Sequence, residues 1–365
     1  GRFVVAWRVY QELMHAGAVY GNRTRMFVQV GTRQDPTGGI PIQVGGDQFQ
    51  ELRLLALPQG RFALVWHEDA EPGVQPIVRV RVMRSPAEPP LVDDTLPWSS
   101  GLGPAFAWPD GSFAVPAYAG REGDILPWQW MQRFDADGRR AGTFEIGSLW
   151  GDPTRSNPEA TLSGDAEGRI VAAWRGPSAA DETRTGFWAR WFDGNGAPLT
   201  DAFELTTEAY RFQAEWSGPF LAPLTDGRVV AGWSMRPVVE QGGRIRVRVL
   251  AGGALPTEDP VMLGATPDDG RQVLAGLAVD GDDVVATWVG AEVSNRSAGV
   301  HVTRIAMPAP DAPTSGSIRV SGPGIVVQAA SAVLADGTPV AVWRWQADWR
   351  WGDLVGELRV GFPME

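Results

Sequence analysis

Thr225–Trp233 reads TDGRVVAGW, and the chain writes this phrase again and again. AEGRIVAAW stands at Ala166–Trp174 and ADGTPVAVW at Ala335–Trp343, and the sequence opens on GRFVVAW. Aligned on Gly–x–apolar–Val–Ala–x–Trp, seven copies fall at 1–7, 60–66, 111–117, 168–174, 227–233, 282–288 and 337–343. The copy at 111–117 carries Ala117 in place of tryptophan, with Tyr118 next, and GDDVVATW has one extra residue. A spacing of roughly 50–60 residues belongs to propeller-type arrays, in which each repeat is one small sheet.

Three more phrases accompany each copy. One follows it and is clearest as WMQRFDADG (Trp130–Gly138) and WARWFDGNG (Trp188–Gly196), with weaker versions such as RMFVQVGTR and RIRVRVLAG. A short one comes next, as TFEIG, AFELT or SIRVSG. Another precedes each tryptophan phrase, as ELRLLAL, PEATLSG or GPFLAPL. All are short, rich in Val, Ile, Phe and Trp, and bounded by Gly, Pro, Asp or Asn, which is the strand signature. RIRVRVL alternates strictly, so one face is buried and the other wet. No stretch sustains a helical period. The reading is an all-β chain, a seven-bladed β-propeller of four-stranded antiparallel blades, with 1–365 as a single propeller domain.

The order PxxAxLxDGxxVVAW … RFDxxGxxxGxxFxLxT resembles a repeat of large secreted and surface proteins of bacteria. That resemblance spans the chain and is crispest in the third to fifth repeats. It implies a propeller and an extracellular, periplasmic or cell-surface location. It brings no shared catalytic motif. Within a blade, the phrase before the tryptophan phrase is expected as innermost strand, the tryptophan phrase as the second, and the other two as third and fourth. Asp–Gly pairs close the hairpins, because glycine accepts positive φ. The repeated tryptophan is expected to wedge between neighbouring blades; the alternative is a ring of sugar-stacking indoles. The chain starts in a second strand and ends in a third, so it is expected to be part of a longer one.

Composition excludes several classes. A net charge of −11 without a Lys/Arg run longer than two speaks against nucleic acid. All 32 basic residues are arginine, a bias that codon usage explains. With no cysteine, disulfides and thiolate metal sites are ruled out. No apolar run is long enough for a membrane-spanning helix.

Motifs for chemistry are sparse. Three histidines, His15, His67 and His301, form no H-E-x-x-H, and neither G-x-S-x-G nor a P-loop occurs. DADG and DGDD resemble half of a calcium loop, and turn chemistry accounts for both. No metal or cofactor is expected. The long connections, second strand to third and fourth to the next first, gather on one face and are where function is expected. Aromatics and arginines crowd them: Trp98, Trp150, Arg155, Tyr210, Arg211, Trp216, Trp345, Trp349, Arg350 and Trp351. These types dominate interface hot spots. The expectation is a non-enzymatic scaffold that binds another protein through this Trp/Arg-rich face. The alternatives are a glycan-binding propeller, or a carbohydrate-active hydrolase or lyase with carboxylates at the channel mouth.

Overall fold

The computed structural model describes residues 2–15, 18–32, 34–35, 40–44, 49–68, 77–97, 105–116, 130–147, 149, 160–180, 185–206, 219–235, 244–253, 255, 261–263, 271–281, 283–291, 298–306, 318–319, 325–333, 338–346 and 357–361. Among them there is no α-helix, only a single 3-10 turn at Pro58–Gly60. The strands form seven antiparallel sheets, five of four strands and two of three.

Two compact units emerge. The first, mainly Arg2–Asn157, holds three sheets. Sheet one is β1 (Arg2–His15), β2 (Ala18–Thr32) and β3 (Ile42–Gln43). Sheet two is β4 (Phe49–Leu57), β5 (Arg61–Glu68), β6 (Ile77–Met83) and β7 (Val92–Pro97). Sheet three is β8 (Phe106–Ala107), β9 (Phe113–Pro116), β10 (Trp130–Phe134) and β11 (Arg140–Glu145). The second unit, mainly Pro158–Asp193 with Pro198–Glu365, holds four. They are β12 (Ala160–Gly164) to β13 (Ile170–Pro177), β14 (Thr185–Phe192) and β15 (Phe203–Glu204), and then β16 (Phe220–Pro223), β17 (Val229–Met235), β18 (Arg244–Leu250) and β19 (Val261–Leu263). The last two are β20 (Arg271–Asp280), β21 (Asp283–Ala291), β22 (Ala298–Ala306) and β23 (Ile318–Arg319), and finally β24 (Ile325–Val333), β25 (Pro339–Gln346) and β26 (Glu357–Gly361). In every sheet the strands run in chain order, as the four phrases require. The first sheet begins at the tryptophan strand and the last ends at the third strand.

One expectation changes. The second-to-third-strand connection RVYQELMHAGAVYGNRT is not a long loop like the others expected but an extended hairpin: β1 and β2 stay paired from Arg2↔Thr32 out to His15↔Ala18, with a bulge at Leu13/Met14.

Period-2 alternation on the second strand feeds two interfaces at once. Phe62, Leu64 and Trp66 pack with Met26 and Val28 of sheet one. Ala63 and Val65 of the same strand pack with Phe113, Val115 and Phe134 of sheet three. The pattern repeats in the second unit. Trp233 joins Val171, Ala173 and Trp191 of the preceding sheet, Trp288 joins Val230, Ile245 and Val247, and Trp343 joins Val285, Val300 and Val302. The tryptophan is therefore a wedge against the sheet before it. In sheet three, Phe113 and Phe134 stack face to face at 4.8 Å against that same neighbour.

The turns that close these hairpins share one design. In DAEGR, Asp165 N–H donates to Arg169 O at 3.0 Å and Gly168 N–H to Asp165 O at 3.2 Å, with Gly168 at φ +80°. That is a type I turn ending in a left-handed glycine. Asp165 Oδ1 caps it by accepting from the N–H of Glu167 and of Arg169. DADGR repeats this with Asp135 Oδ1 accepting from Asp137 and Arg139. Asp280 and Asp283 of DGDD both pair with Arg304. Both calcium-like stretches are thus occupied by turn and ion-pair chemistry.

Sheets two and three are also strapped at their outer strands. Arg140 grips Asp94 through two bonds, Nε to Oδ2 at 2.6 Å and Nη2 to Oδ1 at 2.7 Å, and donates to Thr95 O. The guanidinium hydrogen bond holds the Asp94 carboxyl below its ordinary range, and the carboxylate holds Arg140 above its own.

Candidate functional site

Strand register places one residue of the third strand directly across from each wedge tryptophan. The rows read Trp7↔Phe27↔Gln43, Trp66↔Arg79↔Thr95 and Trp174↔Trp188↔Glu204. They continue as Trp233↔Arg246↔Met262, Trp288↔His301↔Arg319 and Trp343↔Arg359. In sheet three, Met131 pairs with Pro116, which puts Trp130 at the same level, across from Glu145. The wedge is nearly constant. The residue beside it is always aromatic or basic, and it varies: Phe27, Arg79, Trp130, Trp188, Arg246, His301, Arg359.

Wedge and row differ in exposure. Trp66, Trp174, Trp233, Trp288 and Trp343 are buried, whereas the row residues are half-buried or, for Trp130 at 40%, exposed. Adjacent positions of an antiparallel pair hold their side chains about 5 Å apart on one face. Beside Trp66, Trp174, Trp233, Trp288 and Trp343 the row thus places a partly exposed aromatic or cation across from a buried indole, near the second-to-third-strand connection.

The individual rows differ in chemistry. In sheet two, Trp66 Nε1 donates to Glu68 Oε1 at 2.8 Å, and Arg79 pairs with Glu68 at 3.2 Å and Asp93 at 3.3 Å. Arg81 also holds Asp93 and lies 5.3 Å above the Trp66 ring. This row is charge-balanced within itself. In sheet six, His301 stacks on Trp288 at 4.1 Å and 10°, while Trp288 Nε1 donates to Thr303 Oγ1. In sheet four, Trp188 Nε1 donates to Pro177 O at 2.8 Å. The Glu204 carboxylate beside it accepts from Ala179 N–H through Oε2 at 3.3 Å, and its Oε1 is buried without a hydrogen bond.

The residues singled out from sequence fall elsewhere. Trp98, Trp150, Arg155, Tyr210, Arg211, Trp216, Trp349, Arg350 and Trp351 lie outside the described residues. Trp345 falls on β25, where its backbone pairs with Val326 and Glu357. The row itself escaped the sequence reading. Its signal was present, since WMQRFDADG and WARWFDGNG each open on the row residue, but the register that brings it across from the wedge is a property of the folded sheet. Among the described residues no group of three or more His, Asp or Glu side chains could hold a metal ion. No helix among them is long and apolar enough to cross a membrane.

No family model matches the chain, and no curated protein matches it either. Solved structures do. The β-propeller domain of the Trilobed protease from Pyrococcus furiosus, described as having an open velcro topology, aligns over 98% of this chain and 91% of its own, at a TM-score of 0.54 and 9% identity. The acylaminoacyl peptidase of Pyrococcus horikoshii aligns over 93% of this chain at a TM-score of 0.52 and 8% identity, with 47% of its own length covered, so this chain spans about half of that enzyme. An α-L-arabinofuranosidase from Fusarium graminearum aligns over 86% of this chain and 92% of its own, at a TM-score of 0.47 and 10% identity. The likeness to the first of these shows a β-propeller fold.

They also correct the functional expectation. The expectation of a non-enzymatic protein-binding scaffold does not stand, since the fold is shared with the propeller domain of a protease and with a peptidase. The physical reason for the error is plain. Trp- and Arg-rich surface on a rigid scaffold suits a substrate as well as a protein partner, so composition of the loops does not separate the two.

Proposed function

We propose that this chain is the β-propeller domain of a peptide hydrolase, with the row beside the wedge tryptophans contacting the substrate. The observation that carries the reading is extent: the chain is coextensive with the propeller domain of a protease and equivalent to about half of a peptidase. Fold by itself does not assign function. The row adds a local reason, because partly exposed aromatics and arginines set on rigid strands can hold peptides through stacking and charge. On this reading the seven sheets are the blades of a seven-bladed propeller. The likeness of its repeats to those of bacterial surface proteins supports a place outside the cytoplasm.

The test is a substrate panel applied to the native protein isolated from its source. A quenched-fluorescence peptide library is run beside arabinan and chromogenic glycosides. Peptide cleavage is the expected result. Sugar release without peptide cleavage would replace this reading with a carbohydrate-active hydrolase.

A further inference from the structure

Arginine, indole and carboxylate meet twice inside this molecule. Arg81 lies 5.3 Å above the Trp66 ring and pairs with Asp93 at 2.9 Å. Arg169 lies 5.7 Å from the centre of the Trp191 ring and pairs with Asp165 at 2.6 Å. In each case one guanidinium is shared between a ring and an acid. Sheet three holds the same two partners without the arginine. Trp130 of β10 lies directly across from Glu145 of β11, so their side chains leave the same face about 5 Å apart. Trp130 is 40% exposed and Glu145 is exposed as well, so a solute can reach both. Among the described residues neither side chain has a hydrogen bond, ion pair or ring contact. The strand end that presents Glu145 is pinned. Gly147 N–H donates to Gly196 O at 3.2 Å, and Gly196 approaches so closely that a Cβ there would collide with Glu145 O.

We propose that Trp130 and Glu145 form a subsite for the guanidinium of an arginine residue in a peptide, an assignment that rests on the peptide-hydrolase reading. The indole face attracts a cation through its quadrupole, and the carboxylate supplies the counter-charge. Guanidinium is selected over ammonium by shape. A planar fork lays its face on the ring while its edge meets both carboxylate oxygens, and neither oxygen of Glu145 is engaged by another side chain. An ammonium is a compact, strongly hydrated point charge that cannot stack in this way. The net charge of −11 favours the approach of a cationic peptide. The other charged rows offer less. Arg79 of sheet two already holds Glu68 and Asp93, so that row is balanced without a ligand.

NMR titration of the native protein tests the subsite, read at the indole N–H of Trp130, which is assigned by its disappearance in Trp130→Phe. The probes are Nα-acetyl-arginine methylamide, Nα-acetyl-citrulline methylamide as the neutral isostere, and Nα-acetyl-lysine methylamide. The arginine probe should shift this signal saturably, citrulline should leave it in place, and lysine should bind more weakly than arginine. Because the pair is exposed, Glu145→Gln, which preserves shape, should weaken the arginine probe by about two- to fivefold. Added salt should weaken it too. A Trp130 signal that ignores arginine, equal responses to arginine and citrulline, arginine no tighter than lysine, or wild-type affinity in Glu145→Gln would each overturn the subsite. The two ideas fail separately. Peptide cleavage without arginine binding at Trp130 sinks the subsite alone, and Glu145-dependent arginine binding without peptide cleavage sinks the hydrolase reading alone.

Discussion

Trp66, Trp233 and Trp288 are alike in burial and unlike in how their indole N–H is treated. Trp66 Nε1 donates to Glu68 and Trp288 Nε1 to Thr303, whereas the Nε1 of Trp233 is buried without a hydrogen bond. Truncating the wedge to alanine opens a large cavity between two sheets, and Trp233→Ala should cost about 3–5 kcal/mol in denaturant unfolding. Phenylalanine is the finer probe. Trp66→Phe gives up a bond and strips a donor from Glu68, while Trp233→Phe removes an N–H that had no partner. Trp66→Phe should therefore be the more damaging by about 1 kcal/mol; equal losses would mean that the indole bond contributes nothing. The wedge was legible in the sequence because it recurs at one place in each phrase. The row residue beside it was not. Phe27, Arg79, Trp188 and His301 share no single residue type that a repeat alignment would flag, and only the pairing of strands lines them up.

At the scale of the elements, turn glycines divide into two kinds. Gly138 and Gly168 both sit at φ near +80°. A Cβ on Gly168 would meet nothing within 4 Å, whereas one on Gly138 would lie 2.7 Å from Val82 Cγ2 and 3.0 Å from Val92 Cγ2 of the neighbouring sheet. Gly168→Ala should cost only the left-handed penalty of roughly 1–2 kcal/mol. Gly138→Ala adds a steric clash between sheets and should cost clearly more, as thermal unfolding of the pair would show. The sequence announced these turns through DG and DADG, yet it could not tell which of them touches a neighbour. The Asp94–Arg140 strap works at the same scale. Its carboxyl is depressed in the folded state, so its contribution is full above the ordinary aspartate range and fades as pH falls through the lowered folded value. Arg140 is 45% exposed, which limits the effect to roughly 0.5–1 kcal/mol. Asp94→Asn should lower the urea midpoint near neutral pH, and its deficit relative to wild type should close on acidification. A deficit that stays constant down to acid pH would remove the strap from the account.

For the whole molecule, the antiparallel all-β character and the strand order among the described residues followed from the phrases, because each repeat is a local hairpin set whose pairing partners lie close in sequence. Function did not follow in the same way. A propeller is one scaffold with many uses, and the loops that drew attention by composition differ from the row that register assembles on the strands. The row is where substrate contact is assigned, and steady-state cleavage of peptides by the native protein, wild type against Trp130→Ala and Trp188→Ala, tests that assignment most directly. Substrate contact predicts that KM rises with kcat nearly unchanged, since these side chains bind ground state and transition state alike. Unchanged KM in both variants, with the fold intact, would contradict it.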